Sequence, residues 1–275
     1  MNSLRETEKS QLLERYAGKF EVRALEYGTV QDYCDSCDHL PWISRVQHDL
    51  KDSQRPWTVK AALGLSIPGS RLLEIGAGPP LVSGMLTELG YDLTIVDPYD
   101  GSAGGPAEFE TFLQRYPDIR FVREQFTLHL PQLEGELFDG IFSVSVLEHV
   151  AEPALEGLFA AVAAHLRPGG CSFHSVDCVT QGNDAEYHLD QCLRIALYQS
   201  ALAGERGPDK GWLRAFFNKA DQDVETCYLS AAGHNLWRGA MPYATFPFRK
   251  VLSFQTVATR QLNGSNNWQA SQSKT

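Results

Sequence analysis

The segment Leu72-Leu-Glu-Ile-Gly-Ala-Gly-Pro-Pro-Leu-Val82 constrains this chain more than any other. An apolar run passes into a glycine turn, and the residues beyond it place Leu81, Val82, Met85, Leu86 and Leu89 on one helical face that stops at Gly90. A strand that turns on glycine into a helix is a building unit of an open parallel sheet, where ligands sit outside the carboxyl ends of the strands. The rhythm continues with short apolar runs at Leu93–Val96, Phe121–Val122, Ile141–Val144 and Cys171–Val176, separated by helical stretches. One of these stretches carries Leu155, Leu158, Phe159, Val162 and Leu166 on one face and ends before Pro168. Such βαβα alternation implies an α/β fold with a largely parallel sheet.

The same turn restricts the ligand. Gly76 and Gly78 allow close backbone approach, but Pro79 and Pro80 remove two N–H donors, and Leu81 stands where a dinucleotide fingerprint has its third glycine. The loop is a poor cradle for a pyrophosphate, which weighs against an NAD-dependent oxidoreductase. Asp97 closes the next strand nineteen residues after Gly78, where a carboxylate accepts from both ribose hydroxyls of an adenosine. Glu74, inside the end of the first strand, opposes phosphates and suits an ammonium group. These residues fit an adenosyl ligand without phosphate, such as S-adenosylmethionine.

The chain has 275 residues, enough for one elaborated domain or a domain with a cap at about 150 residues per domain. Its net charge of −10 and the lack of a basic stripe argue against nucleic acid as a partner. No stretch approaches the roughly 18 apolar residues of a membrane span, and Met1–Ser10 has no signal-peptide core, so a cytoplasmic location is expected. The six cysteines read as reduced thiols; Cys34 and Cys37 lack the second pair of a structural zinc site, and no metal is expected. Residues 1–60 read as a helical lid that opens with a capping box at Ser3 and Glu6 and continues with Leu12, Leu13, Tyr16 and Phe20. Residues 61–262 form the ligand-binding domain, with 180–245 as an aromatic, helical and loop cap and 250–260 as a last strand; 263–275 is a polar tail.

Four motifs in order, Glu74-Ile-Gly-Ala-Gly-Pro-Pro80, Leu93-Thr-Ile-Val-Asp97, Phe138-Asp-Gly-Ile-Phe-Ser-Val-Ser-Val-Leu-Glu-His149 and Leu166-Arg-Pro-Gly-Gly170, resemble a class I S-adenosylmethionine-dependent methyltransferase over residues 60–180. The resemblance implies a three-layer, Rossmann-like fold whose seven-stranded, mostly parallel sheet has an antiparallel last strand. It implies that Glu74, Gly76, Ala77 and Gly78 wrap the methionine part, that Asp97 and Pro98 hold the ribose, and that Gln125 and Phe126 flank adenine. Gln125 stands where the family often has Asp, and an amide still accepts from an amino group there. By the same resemblance the run from Ser143 and Val144 to Val146 passes over the cofactor at the end of the fourth strand. S-adenosylhomocysteine is the implied product.

Methyl transfer asks for alignment, exclusion of water and removal of a proton if the acceptor keeps one. His174 and Asp177 lie on or just after the fifth apolar run, and strand alternation sends them to opposite faces; Asp177 is the better candidate for acceptor contact. Gly233-His-Asn-Leu-Trp-Arg-Gly239 reads as a binding loop in which His234 acts as base, Trp237 stacks on a flat acceptor and Arg238 clamps a carboxylate, with packing as the alternative for Trp237. Tyr187 and His188 open the cap, and Tyr27, Tyr33 and Trp42 belong to the lid, where aromatic packing is equally open. His149 reads as structural or cofactor-side. The expected acceptor is a small molecule of secondary metabolism, methylated on O or N by a monomer or homodimer. A non-catalytic protein that holds an adenosyl ligand is the rival reading.

Overall fold

The computed structural model describes residues 4–101 and 105–262; the Ser3 half of the expected capping box and the tail 263–275 lie outside the described residues. One sheet contains β1 (Leu25–Tyr27), β2 (Arg71–Ile75), β3 (Asp92–Val96), β4 (Arg120–Val122), β5 (Phe138–Val144), β6 (Leu166–Gln181) and β7 (Lys250–Thr259). Their order across the sheet is β1-β7-β6-β5-β2-β3-β4. From β4 to β6 all neighbours are parallel. β7 runs antiparallel to β6 and also to β1, so the last strand is antiparallel as expected.

β1 departs from the expected all-helical lid. Three residues are too short to show period-2 alternation, and pairing with β7 at Leu25↔Thr256 through Tyr27↔Phe254 is what makes them a strand.

The helices are α1 (Glu6–Tyr16), α2 (Val30–His39), α3 (Pro41–Ser44), α4 (Lys51–Leu65), α5 (Leu81–Glu88), α6 (Phe109–Arg115), α7 (Ala154–His165), α8 (Ala185–Ala203), α9 (Lys210–Gln222) and α10 (Ala231–Arg238). They cover both faces of the sheet. Leu12, Trp57, Val59, Met85 and Leu86 pack with Leu72 and Leu93 on one side. Leu155, Phe159, Leu189, Ile195, Leu213 and Phe217 pack with Leu73 and Ile141 on the other. Both faces of β2 are thereby dry, which is why it reads as a nearly continuous apolar run. Each fully buried Leu contributes about 1.5 to 3 kcal/mol by removal from water.

α8 lies against β6 and β7 and buries Leu189, Cys192, Ile195 and Ala196 in the main core, so part of the expected cap belongs to the body of the domain. α2 is clamped to α4 by the fully buried Lys60, whose Nζ lies 2.5 Å from Asp32 Oδ1 and 3.2 Å from Asp35 Oδ2. Such a buried cation is tolerated only because carboxylates and the Ser36 hydroxyl surround it.

The sheet reverses its winding between β2 and β5. β2 is followed in sequence by β3 on one side, while β5 pairs with it on the other, so the switch point at which open α/β sheets bind ligands falls at the carboxyl ends of these strands.

Candidate functional site

The glycine turn after β2 is held by its neighbours in the sheet. Gly76 N–H donates to Val96 O at 2.9 Å, and Gly78 N–H donates to Asp97 Oδ2 at 2.9 Å. Gly76 and Gly78 have φ of 62° and 54°, and a Cβ on Gly76 would meet Val146 Cγ2 at 2.9 Å. Left-handed backbone and a close neighbour together require glycine at Gly76.

Asp97 closes the arrangement from β3. Its second oxygen accepts from Tyr99 N–H at 2.8 Å, and the Tyr99 hydroxyl donates to Gly78 O at 3.1 Å. Tyr99 itself has φ of 46° and is wedged among Phe109, Phe112 and Phe121. Each Asp97 oxygen makes one backbone hydrogen bond and keeps a further lone pair for a ligand hydroxyl. Glu74 is buried beneath the turn, accepts from the Ser83 hydroxyl, and is pushed up to about 7 by burial.

α4 supplies a cation. Arg55 is 5% exposed; one guanidinium nitrogen donates to Gln47 Oε1 at 2.6 Å, while Nη1 is buried without a partner. Burial lowers its pKa, and the charges of Asp49, Asp52 and Glu74 raise it. An unpartnered buried guanidinium nitrogen beside this turn is a ready donor for an anionic group.

A second group of side chains stands just past the end of β5 and on the part of β6 that extends beyond it. Ser145 follows β5 with φ of 56° and donates its hydroxyl to Asp177 Oδ2 at 3.0 Å. Gln54 of α4 donates to Asp177 Oδ1 at 2.8 Å, and the Asp177 N–H donates to Glu148 Oε1 at 2.9 Å. Glu148, in the short 3-10 turn Leu147–His149, is raised by burial and then by the Asp177 charge. A non-glycine residue held at positive φ beside buried carboxylates is the kind of strain that collects at functional sites.

The expected site residues divide accordingly. Glu74, Gly76, Ala77, Gly78, Asp97 and Pro98 lie together at the turn, and Val144 is half-buried at the end of β5. Gln125 is exposed in the stretch after β4, whereas Phe126 is turned into the core beside His165, with ring centres 5.9 Å apart. Ser143 and His174 are corrected. Both are fully buried in paired strands, with Ser143 Oγ 2.8 Å from His174 Nδ1 and Ser172 Oγ 2.8 Å from its Nε2. Burial drives this imidazole down to about 3, so it is a neutral core residue and neither a base nor a ligand contact.

Among the acceptor candidates, Tyr27 is corrected to a packing role, its ring 5.5 Å from Phe216 and its hydroxyl donating to Asp223 at 2.9 Å. Tyr33 is half-buried on α2, and its hydroxyl is pushed up to about 12 by burial and the neighbouring Cys37. Tyr187 is half exposed at the start of α8. His188 Nδ1 donates to the Asp177 carbonyl at 3.0 Å, which brings it to the Asp177 group.

The expected binding loop around His234 is a helix. Ser230 caps α10 by accepting from Gly233 N–H at 3.0 Å, and Gly239 ends it. Arg238 is spent locally on Met241 O and Asn235 Oδ1, at 2.6 and 2.7 Å, and does not stand free to clamp a carboxylate. His234 is buried with ring centres 4.5 Å from Phe248 and 5.5 Å from Phe246, and Trp237 packs beside Leu229 and Val251. Tyr99, Arg55, Gln54 and the role of Glu148 escaped the sequence reading; the Leu-Glu-His run after β5 was the available signal for Glu148.

Residues 4–224 match a family model described as a methyltransferase domain. The chain belongs to that family, whose members are class I S-adenosylmethionine-dependent methyltransferases. Among curated proteins, this methyltransferase is similar to a ubiquinone biosynthesis O-methyltransferase of Xanthomonas campestris pv. campestris (strain B100), at 28% identity over 42% of this chain and 46% of that protein. The chain thus matches about half the length of that relative. Among solved structures, it is similar to the 1,6-didemethyltoxoflavin-N1-methyltransferase of Burkholderia thailandensis, at 20% identity and TM-score 0.43 over 84% of this chain and 85% of that one. It is also similar to phosphoethanolamine N-methyltransferase 2 of Haemonchus contortus, at 15% identity and TM-score 0.44 over 94% and 75%.

Proposed function

We propose that this methyltransferase moves the methyl group of S-adenosylmethionine to an O or N nucleophile of a small-molecule acceptor. The supporting observation is the bond from Gly78 N–H to Asp97, which joins the strand-end acid to the glycine turn in one preformed cradle. The residues present fit the cofactor: Asp97 has lone pairs for ribose hydroxyls, and Arg55 Nη1 is an orphaned donor for the methionine carboxylate. Gln125 is exposed, and its amide oxygen suits an adenine amino group as acceptor.

When bound, S-adenosylmethionine supplies a sulfonium-activated methyl, and the acceptor–carbon bond forms as the carbon–sulfur bond breaks with its electron pair going to sulfur. The chain's own residues orient the partners and take a proton. Asp177, at the carboxyl end of the sheet and fixed by Gln54 and Ser145, is the acceptor-side carboxylate. Residues 1–60 as lid and, apart from α8, residues 180–245 as cap would close over the acceptor, a small molecule of secondary metabolism in the cytoplasm.

The test uses S-adenosylmethionine carrying a deuterated methyl group, incubated with the protein and a panel of phenols and amines, with products read by mass spectrometry. A product heavier by the labelled methyl, absent with boiled protein, is the expected result. Retained cofactor with no labelled product from any nucleophile class would favour the non-catalytic, adenosyl-binding reading instead.

A further inference from the structure

Buried carboxylates normally face a cation or enough donors to fill their lone pairs. Glu148 and Asp177 are 2% and 7% exposed, and among the described residues neither takes part in an ion pair. His149 and His188 stand near Asp177, but burial lowers both, which keeps them from acting as counter-cations. Two acceptor atoms in this group also lack donors: Glu148 Oε2, and Oε1 of the fully buried Gln54, whose amide nitrogen is already given to Asp177. Asp177 accepts and cannot donate when ionised, which fixes the Gln54 amide in this orientation.

The group also lies beside the cofactor cradle. Val146 packs against Gly76 of the turn, and the adjacent Ser145 donates to Asp177. Two orphaned acceptors and an uncompensated acidic charge at that place call for a ligand that brings several donors, a positive charge and no lone pairs of its own. A protonated amine has that chemistry. A hydroxyl brings one donor with two acceptor lone pairs, and a carboxylate brings charge of the wrong sign.

We infer that Glu148, Asp177 and Gln54 form the acceptor-recognition site and that the acceptor nucleophile is an amine, captured as an ammonium. This rests on the methyl-transfer reading above and narrows it from O or N to N. An ammonium has no lone pair for attack, so one N–H bond must break first. The proton passes to Glu148 Oε2, an O–H bond forms there, and the electron pair stays on nitrogen. Glu148 must be ionised to take that proton; burial and then the Asp177 charge push it up to about 8, so the transfer opens as pH rises through that value.

The test compares phenethylamine with 2-phenylethanol and phenylacetate, binding to the full chain measured by ligand-detected NMR and calorimetry, with and without S-adenosylhomocysteine. The amine is expected to bind at least about tenfold more tightly than the alcohol, the worth of one charge-assisted hydrogen bond. Glu148→Gln and Asp177→Asn should each remove that preference while the S-adenosylhomocysteine affinity stays as in the wild type, a split that a merely structural role would not produce. Amine binding no tighter than alcohol binding, or a preference that survives in both variants, overturns the inference. Failure of S-adenosylhomocysteine to bind the wild type instead counts against the cofactor reading, and the comparison on the free protein still reads the amine site.

Discussion

Asp97→Asn separates the two tasks the structure gives this carboxylate. In the wild type one oxygen accepts from Gly78 N–H at 2.9 Å and the other from Tyr99 N–H at 2.8 Å. The amide keeps one acceptor and sets its own N–H groups against the second backbone donor. One hydrogen bond to a charged group is lost, a cost of about 1.5 to 3 kcal/mol. For a chain of this size that lowers Tm by about 3 to 10 °C. The same substitution removes one of the two lone-pair sets proposed for the ribose hydroxyls, which weakens S-adenosylhomocysteine binding by about 10- to 150-fold. Scanning fluorimetry reads the first effect and calorimetric titration the second. A fall in Tm with unchanged affinity would confine Asp97 to holding the turn, and no change in either would refute the geometry described for the turn.

Gly76→Ala forces a side chain into left-handed backbone and toward Val146 Cγ2, so it should cost at least about 1 to 2 kcal/mol and lower cofactor affinity; wild-type stability in denaturant titration would contradict this. His174, held neutral in the folded state down to about pH 3, has a lower pKa than in the unfolded chain, so its contribution is complete above about pH 6.5 and is lost as pH falls. Denaturant titrations at pH 7 and 5.5 should show a loss of about 1 kcal/mol from this group that His174→Gln abolishes, while the methylation rate does not depend on His174 protonation. Tyr27→Phe removes the bond to Asp223 and should cost about 0.5 to 1.5 kcal/mol with no change in acceptor KM; a large rise in KM would restore Tyr27 to the acceptor site.

The parts of this fold that the sequence displayed are those written in local pattern. The glycine turn, Asp97 and the strands flanking them announce themselves because turn chemistry and apolar runs are short-range signals. β1 was hidden because three residues become a strand only through pairing with β7, more than two hundred residues away. His174 was misread because alternation gives the face of a strand and not its neighbours; the register that sets it beside Ser143 comes from β5. The 231–238 segment looked irregular from its glycine and aromatics, yet Ser230 is a sound helix cap that composition outweighed. Arg55 and Gln54 were illegible, since nothing local to α4 tells that its face meets Asp177 and the turn.

The cofactor is the claim on which the other chemical readings depend. Calorimetric titration of the purified protein with S-adenosylmethionine, S-adenosylhomocysteine and NAD in parallel, after a mass-spectrometric check for ligand carried through purification, tests it most directly. Binding of both adenosyl ligands at one site, with no heat from NAD, is the predicted result. Binding of NAD alone, or of none of the three to a ligand-free protein, would contradict it.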